Sequence, residues 1–130
     1  MRTDAQALGD EAESAVAAML VARGWTILGR QVRVGRQELD LVAVEPGPPQ
    51  VLVIVEVRWR RSRAFGLAEE SIDHRKRRHL RAAIGRLLES GLPTGSALPA
   101  LPIRADLVVV DPGRSAGAPP RVRHHRAIQL

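Results

Sequence analysis

The chain has 130 residues with 45% hydrophobic content and no cysteine, which fits one domain with a real core and excludes disordered chains, disulfides and thiolate metal sites. A reducing cytoplasm is the expected setting; no apolar run nears the ~20 residues of a membrane span, and residues 1–6 lack the basic-then-apolar order of a signal peptide. The net charge of +6, from 20 basic against 14 acidic side chains, favours polyanions, nucleic acid first, although many small basic proteins bind none.

Residues from about 4 to 23 are predicted as a first helix. Asp4 is the N-cap candidate, Leu8, Ala12, Ala15, Val16 and Met19 form an apolar stripe, and Gly24 stops the helix. Glu13 falls at the flank of the stripe, where a carboxylate can reach over a sheet edge. Taken alone, a solvated helix glutamate is the simpler reading. Trp25 opens a strand running to about Val34 that carries the polar Arg30, Gln31 and Arg33. Gly35-Arg36 turns the chain into a second strand, Gln37-Glu38-Leu39-Asp40-Leu41-Val42, and the Pro- and Gly-rich stretch 45–50 marks a loop. A third strand, 51–59, contains Val55-Glu56-Val57-Arg58-Trp59.

Side chains two apart on a strand share a face, so Glu38 projects with Asp40, and Glu56 with Arg58. If the two strands pair, acids from both can converge on one patch. Carboxylates among Val, Leu and Ile are costly to bury without a partner or a metal. The plainer alternative is an edge strand with a wet face and ordinary salt bridges. Arg60, Arg61 and Arg63 follow in a loop ending at Phe65-Gly66. They suit a phosphate backbone or, equally, a hydrated surface loop.

A second helix is predicted from Ala68 to about Ser90, with Ile72, Leu80, Ala83, Ile84 and Leu87 on its apolar face. All basic residues but Lys76 are Arg, a bias that looks like codon composition. On the helical period, Lys76 falls inside the apolar face, whereas Arg75, Arg77, Arg78, Arg81 and Arg86 fall elsewhere. The lysine either snorkels to the rim or sits over the acids, with Glu69 one turn behind it. A breaker-rich loop, 91–102, leads to a fourth strand, 103–110, where Arg104 and Asp106 share a face and can form a structural salt bridge. A last strand, 121–130, holds His124-His125, which point to opposite faces and make a poor metal pair. With only Trp25, Trp59 and Phe65 as aromatics, a stacking platform for single strands is poorly supported.

The order helix–strand–strand–strand–helix–strand–strand, with these acids, resembles the YraN-like family of uncharacterised bacterial proteins. The likeness runs over nearly the whole chain. Gly9 and Glu13 match a Gly-x-x-Gly-Glu motif, with Ala12 in place of the second Gly. Residues 37–42 match Gly-Glu-Ile-Asp-Leu-Ile, and residues 55–60 match Val-Glu-Val-Lys-x-Arg. Phe65-Gly66, Glu70, Ile72 and Lys76, then Arg104, Asp106 and His124, match the remainder. That family is grouped by similarity with endonucleases of the PD-(D/E)XK type, including archaeal Holliday-junction resolvases. The resemblance therefore implies an α/β, restriction-endonuclease-like single domain spanning 1–130, its mixed central sheet flanked by two helices.

It also implies a chemistry. Asp40, Glu56 and the backbone carbonyl of Val57 would be hard oxygen ligands for Mg²⁺ or Mn²⁺, Glu13 would assist, and Glu38 would be an outer-shell partner. The partner would be DNA, contacted by Arg60, Arg61, Arg63 and Lys76. Resolvase-like relatives often act as two-fold pairs, so a homodimer is consistent with the resemblance. One departure bears on catalysis: Arg58 stands where the motif has Lys, and guanidinium is never deprotonated. Arg58 then supports a slower reaction, or Lys76 supplies the amine, or the chain binds nucleic acid without cutting it. A protein-interaction domain with an incidental basic face is the remaining alternative.

Overall fold

The computed structural model describes residues 3–59, 72–111 and 117–130. Helix α1 (Asp4–Ala22) is followed by strands β1 (Thr26–Val34), β2 (Gln37–Glu45) and β3 (Val51–Trp59), helix α2 (His74–Ser90), and strands β4 (Ile103–Asp111) and β5 (Arg121–His125). The strands form one sheet in the order β1-β2-β3-β4-β5. It is mixed: β3 and β4 run parallel, joined through α2, and the other three pairs are antiparallel. The expected α-β-β-β-α-β-β order and mixed sheet are both present.

Alternation along the strands divides the core between two faces. Leu41, Ala43, Val53, Val55, Val108 and Val110 pack with Ala12, Val16, Ala17 and Leu20 of α1. Val42, Val44, Leu52 and Ile54 pack with Leu80, Ala83 and Leu87 of α2. Central strands buried on both faces read as continuous Val/Ile/Leu runs, which is why they were recognisable in the sequence. Ala15, expected in the α1 stripe, is exposed, and Ala17 and Leu20 take the core positions.

Several boundaries differ from expectation; β2, for one, runs past Val42 to Glu45. The N-cap of α1 is Thr3: its Oγ accepts from Gln6 N–H while the Gln6 side chain accepts from Thr3 N–H, a reciprocal capping box. Asp4 instead contributes a first-turn negative charge, favourable at that helix end. Described α2 begins at His74, because Asp73 caps it through the Lys76 N–H and holds Ile72 outside the helix; residues 68–71 lie outside the described residues. Strand β5 stops at His125 because Asp106 captures the chain beyond it.

Asp106 is fully buried. Arg104 grips both its oxygens, at 2.8 and 2.9 Å, His124 Nε2 lies 2.8 Å from Oδ2, and Ala127 N–H donates to Oδ1 at 2.9 Å. Ala127 takes the left-handed conformation (φ 56°), and Ile128 N–H then bonds Ala105 O at 2.8 Å. Arg104 also reaches Glu45, so the pairing expected of Arg104 and Asp106 is the centre of a larger network. Burial by itself would raise the Asp106 pKa, but His124, Arg104 and the Ala127 amide together hold it far below the usual carboxylate range.

A depressed folded pKa gives stability that is present above the unfolded value near 3.9 and is lost as pH falls towards the folded one. Asp106→Asn should therefore lower stability at pH 7 by roughly 3 kcal/mol, the scale for breaking a buried ion pair. In urea melts at several pH values, the gap to wild type should begin to narrow below about pH 4 and shrink further with each step down in pH.

Candidate functional site

The site begins where the β2–β3 ladder gives out. Paired positions end at Leu41 and Val55, and one residue further Asp40 Oδ2 accepts the Val57 N–H at 2.8 Å. A side-chain carboxylate has taken the place of a ladder carbonyl. The alternation of β2 slips at the same point: Leu39 packs in the α2-side cluster, but Leu41 packs in the α1-side cluster. Strand β1 slips opposite it. Arg30 reaches α1, Val32 packs on the α2 side, and Gln31 between them has φ 47°, costly for a residue with a Cβ.

Glu56 is 3% exposed. Its Oε1 lies 3.2 Å from Arg58 Nη2 and 3.3 Å from Lys76 Nζ. Lys76 therefore reaches the acids from α2, as its place on the helical period allows. Asp40 lies close enough to Glu56 for the two carboxyls to act on each other electrostatically. Burial, and next the Asp40 charge, push Glu56 up to about 7 against the pull of Arg58 and Lys76. Burial likewise raises Asp40, opposed by the Val57 amide and then by Lys76 and Arg58. Desolvation wins at both carboxyls. Arg58 Nε is buried with no hydrogen-bond partner among the described residues.

Glu13 is 4% exposed, so the solvated reading of that residue is wrong. Its place on the core side of α1 brings it to Arg30 Nε at 3.3 Å. Burial raises its pKa, Arg30 opposes the rise, and the nearby Asp40 charge adds to it. Glu13 and Asp40 line a polar cavity of ≈ 380 Å³ together with Gln6, Gly9, Asp10, Gln31, Glu38 and Val57. Glu38 thus shares the cavity with Asp40, as their spacing on β2 predicts. It is exposed and pairs with Arg33 at 3.6 Å. A Cβ on Gly9 would meet nothing within 4 Å.

Asp40, Glu56, Arg58 and Lys76 are thus one cluster, with Glu13 across the cavity and Glu38 at its margin. Arg60, Arg61, Arg63, Glu69 and Glu70 lie outside the described residues. The sequence reading missed Arg30 as the partner of Glu13, and Gln31, which donates to Asp10 at 2.9 Å. Polar residues on an otherwise apolar strand were the available signal.

The donor set suits a hard divalent cation. Asp40 and Glu56 would supply two carboxylates and Val57 a backbone carbonyl; one or two carboxylates plus water is the usual provision for Mg²⁺. Burial raises both acids against the pull of Arg58 and Lys76. Among the described residues no three His, Asp or Glu side chains close into a ready cage, so water would have to complete the shell.

Fold and site together define a small α/β protein with a buried carboxylate–cation cluster at a strand fork. The chain matches the uncharacterised protein family UPF0102 over residues 12–110. It belongs to that family, the YraN-like family that its motifs resemble. It is 41% identical to a UPF0102 protein of Symbiobacterium thermophilum across 82% of this chain and 83% of that one. A UPF0102 protein of Pseudomonas paraeruginosa is 36% identical across 93% and 90%. One from Sorangium cellulosum is 49% identical across 63% of this chain, which spans 55% of that relative's length.

Glu56 binds its proton more tightly folded than unfolded, so it costs stability as pH rises from about 4.5 to about 7, and the cost is constant above that. Glu56→Gln removes the cost. Thermal melts at pH 8 should show the variant more stable by ~1–3 kcal/mol, with the advantage vanishing near pH 4.

Proposed function

We propose that this protein is a Mg²⁺- or Mn²⁺-dependent endonuclease acting on DNA, particularly branched duplex. The observation that carries the reading is the desolvated Asp40–Glu56 pair, drawn from two strands that fork. Asp40, Glu56 and the Val57 carbonyl would hold the ion. When bound, it would supply polarisation of the phosphate and a lowered pKa for an attacking water.

The remaining roles fall to the chain's own groups. Arg58, a guanidinium, would stabilise charge growing on phosphate oxygens and would take no proton from the water. Lys76 carries the chain's one side-chain amine, within reach of Glu56, and would orient the attacking water. Glu13, across the cavity, would orient the water from the other side. Arg60, Arg61 and Arg63 would contact the DNA backbone. A homodimer would match the two symmetric arms of a junction, and the cytoplasm fits both the partner and the absence of cysteine. Among the described residues no helix is long and apolar enough to cross a membrane.

A second reading is favoured by one specific contact. Glu56 Oε1 is engaged by two cations at once, as expected of a DNA-binding module that has lost its metal chemistry.

Nicking of four-way-junction DNA with Mn²⁺ or Mg²⁺ separates the two. The nuclease reading expects metal-dependent cleavage that falls in Asp40→Ala and Glu56→Ala by more than the ~10–100-fold cost of losing an outer-shell partner. No cleavage, with salt-sensitive binding retained in both variants, supports the binding module. Arg58→Lys should raise the cleavage rate; an unchanged rate would point to Lys76 or to no catalysis.

A further inference from the structure

The charge of this protein is concentrated on one helix. Helix α2, 17 residues long, carries Arg75, Lys76, Arg77, Arg78, Arg81 and Arg86 against the single acid Glu89. It therefore holds five of the six net positive charges of the whole chain. Three of its basic residues have tasks within the fold. Lys76 reaches Glu56, Arg77 donates to the carbonyls of Ile72 and Gln129 at 3.1 and 2.8 Å, and the Arg86 guanidinium lies against Gly35, where a Cβ would meet Nη1 at 2.1 Å.

Among the described residues, Arg75, Arg78 and Arg81 have no such task. All three are exposed, and among the described residues they form no salt bridge or hydrogen bond. Spaced three apart, they make a ridge with steps of ~4.5 Å along the axis. Ala82 and Gly85, small and exposed, leave the surface beside the ridge low; a Cβ on Gly85 would meet nothing within 4 Å.

Folding does not account for this arrangement. The first turn of α2 has no acid and the last turn no base, so the cations crowd the end of the helix where the macrodipole is already positive. Arg75, Arg78 and Arg81 also repel one another at i, i+3 spacing. Codon composition accounts for Arg in place of Lys, but not for their gathering on one exposed face. A bound polyanion relieves both penalties.

The chemistry on the page narrows the polyanion. The apolar face of α2 is buried through Leu80, Ala83 and Leu87, so it is not free to enter a lipid surface. No Phe, Tyr or Trp lies on the helix to form a stacking platform for single-stranded bases. Asp73 already caps the helix amides, so side chains would make the contact. We infer that the Arg75–Arg78–Arg81 ridge is a binding surface for the phosphate backbone of duplex DNA, on the side of α2 turned away from Lys76 and the carboxylate cluster. The inference rests on DNA being the partner under the proposed function; it does not depend on cleavage.

The test is fluorescence anisotropy with a 20-bp duplex, in EDTA so that no cleavage intervenes, from 50 to 200 mM salt. R75Q/R78Q/R81Q is compared with wild type and with R23Q/R36Q/R121Q, which removes equal charge from other exposed positions. The ridge variant should bind at least tenfold more weakly at 100 mM salt and lose about 2–3 from the slope of log K against log salt, near 0.9 per phosphate contact. The control should keep most of that slope. Circular dichroism should show the ridge variant folded and at least as heat-stable as wild type. Unchanged affinity and slope in the ridge variant would overturn the inference, as would equal losses in the control, or binding to anionic vesicles with none to DNA. If binding responds as expected but junction DNA is never nicked, the nuclease reading fails while the ridge stands.

Discussion

The bond from the Val57 amide to the Asp40 carboxylate is the contact on which the site depends. Between two antiparallel strands, an amide normally finds a backbone carbonyl. Here it finds a side chain, and the ladder ends within one residue. That substitution lets β2 and β3 part while leaving no buried amide unpaired, which would itself be costly. It also fixes the Asp40 carboxyl beside Glu56, where two acids share one desolvated space.

The surrounding structure is arranged to tolerate that cost. The opposed slips at Gln31 and Asp40 bring one acid group to the α1-side cavity while Glu56 faces Lys76 on α2. Both faces of the sheet thus contribute to one cluster. On the neighbouring strands β4 and β5, Arg104, Asp106 and His124 form, with Glu45 of β2, a network in which the buried carboxylate is over-supplied with donors. The contrast between the two clusters is informative. Asp106 is held ionised by its partners and strengthens the fold, whereas Asp40 and Glu56 are driven towards protonation and weaken it. A site that costs stability in the unliganded protein is what a cation-binding function would leave behind.

Much of this was readable from the residues. The central strands were legible because both of their faces are largely buried and Val, Leu and Ile fill most of their positions. Lys76 was legible because one helical projection placed it among Ile72 and Leu80, and Glu56 with Arg58 because strand spacing is strict. Other features depend on tertiary contacts that local pattern does not encode. Glu13 looked solvated, since nothing in α1 announces that Arg30 will meet it. The slip at Asp40 is invisible in a regular run of Glu, Leu, Asp, Leu and Val. Asp4 and Thr3 are both good caps, and only the reach of Gln6 back to Thr3 decides between them. The end of β5 was set by a side chain eighteen or more positions earlier in the chain, Asp106.

The account stands or falls on whether the Asp40–Glu56 pair takes up a divalent cation. Mn²⁺ titration followed by electron paramagnetic resonance at pH 8, on wild type and on Asp40→Asn and Glu56→Gln, addresses that directly. The account predicts one saturable site in wild type that is lost in both variants. Absence of saturable binding in wild type, or a site that survives both substitutions, would contradict it.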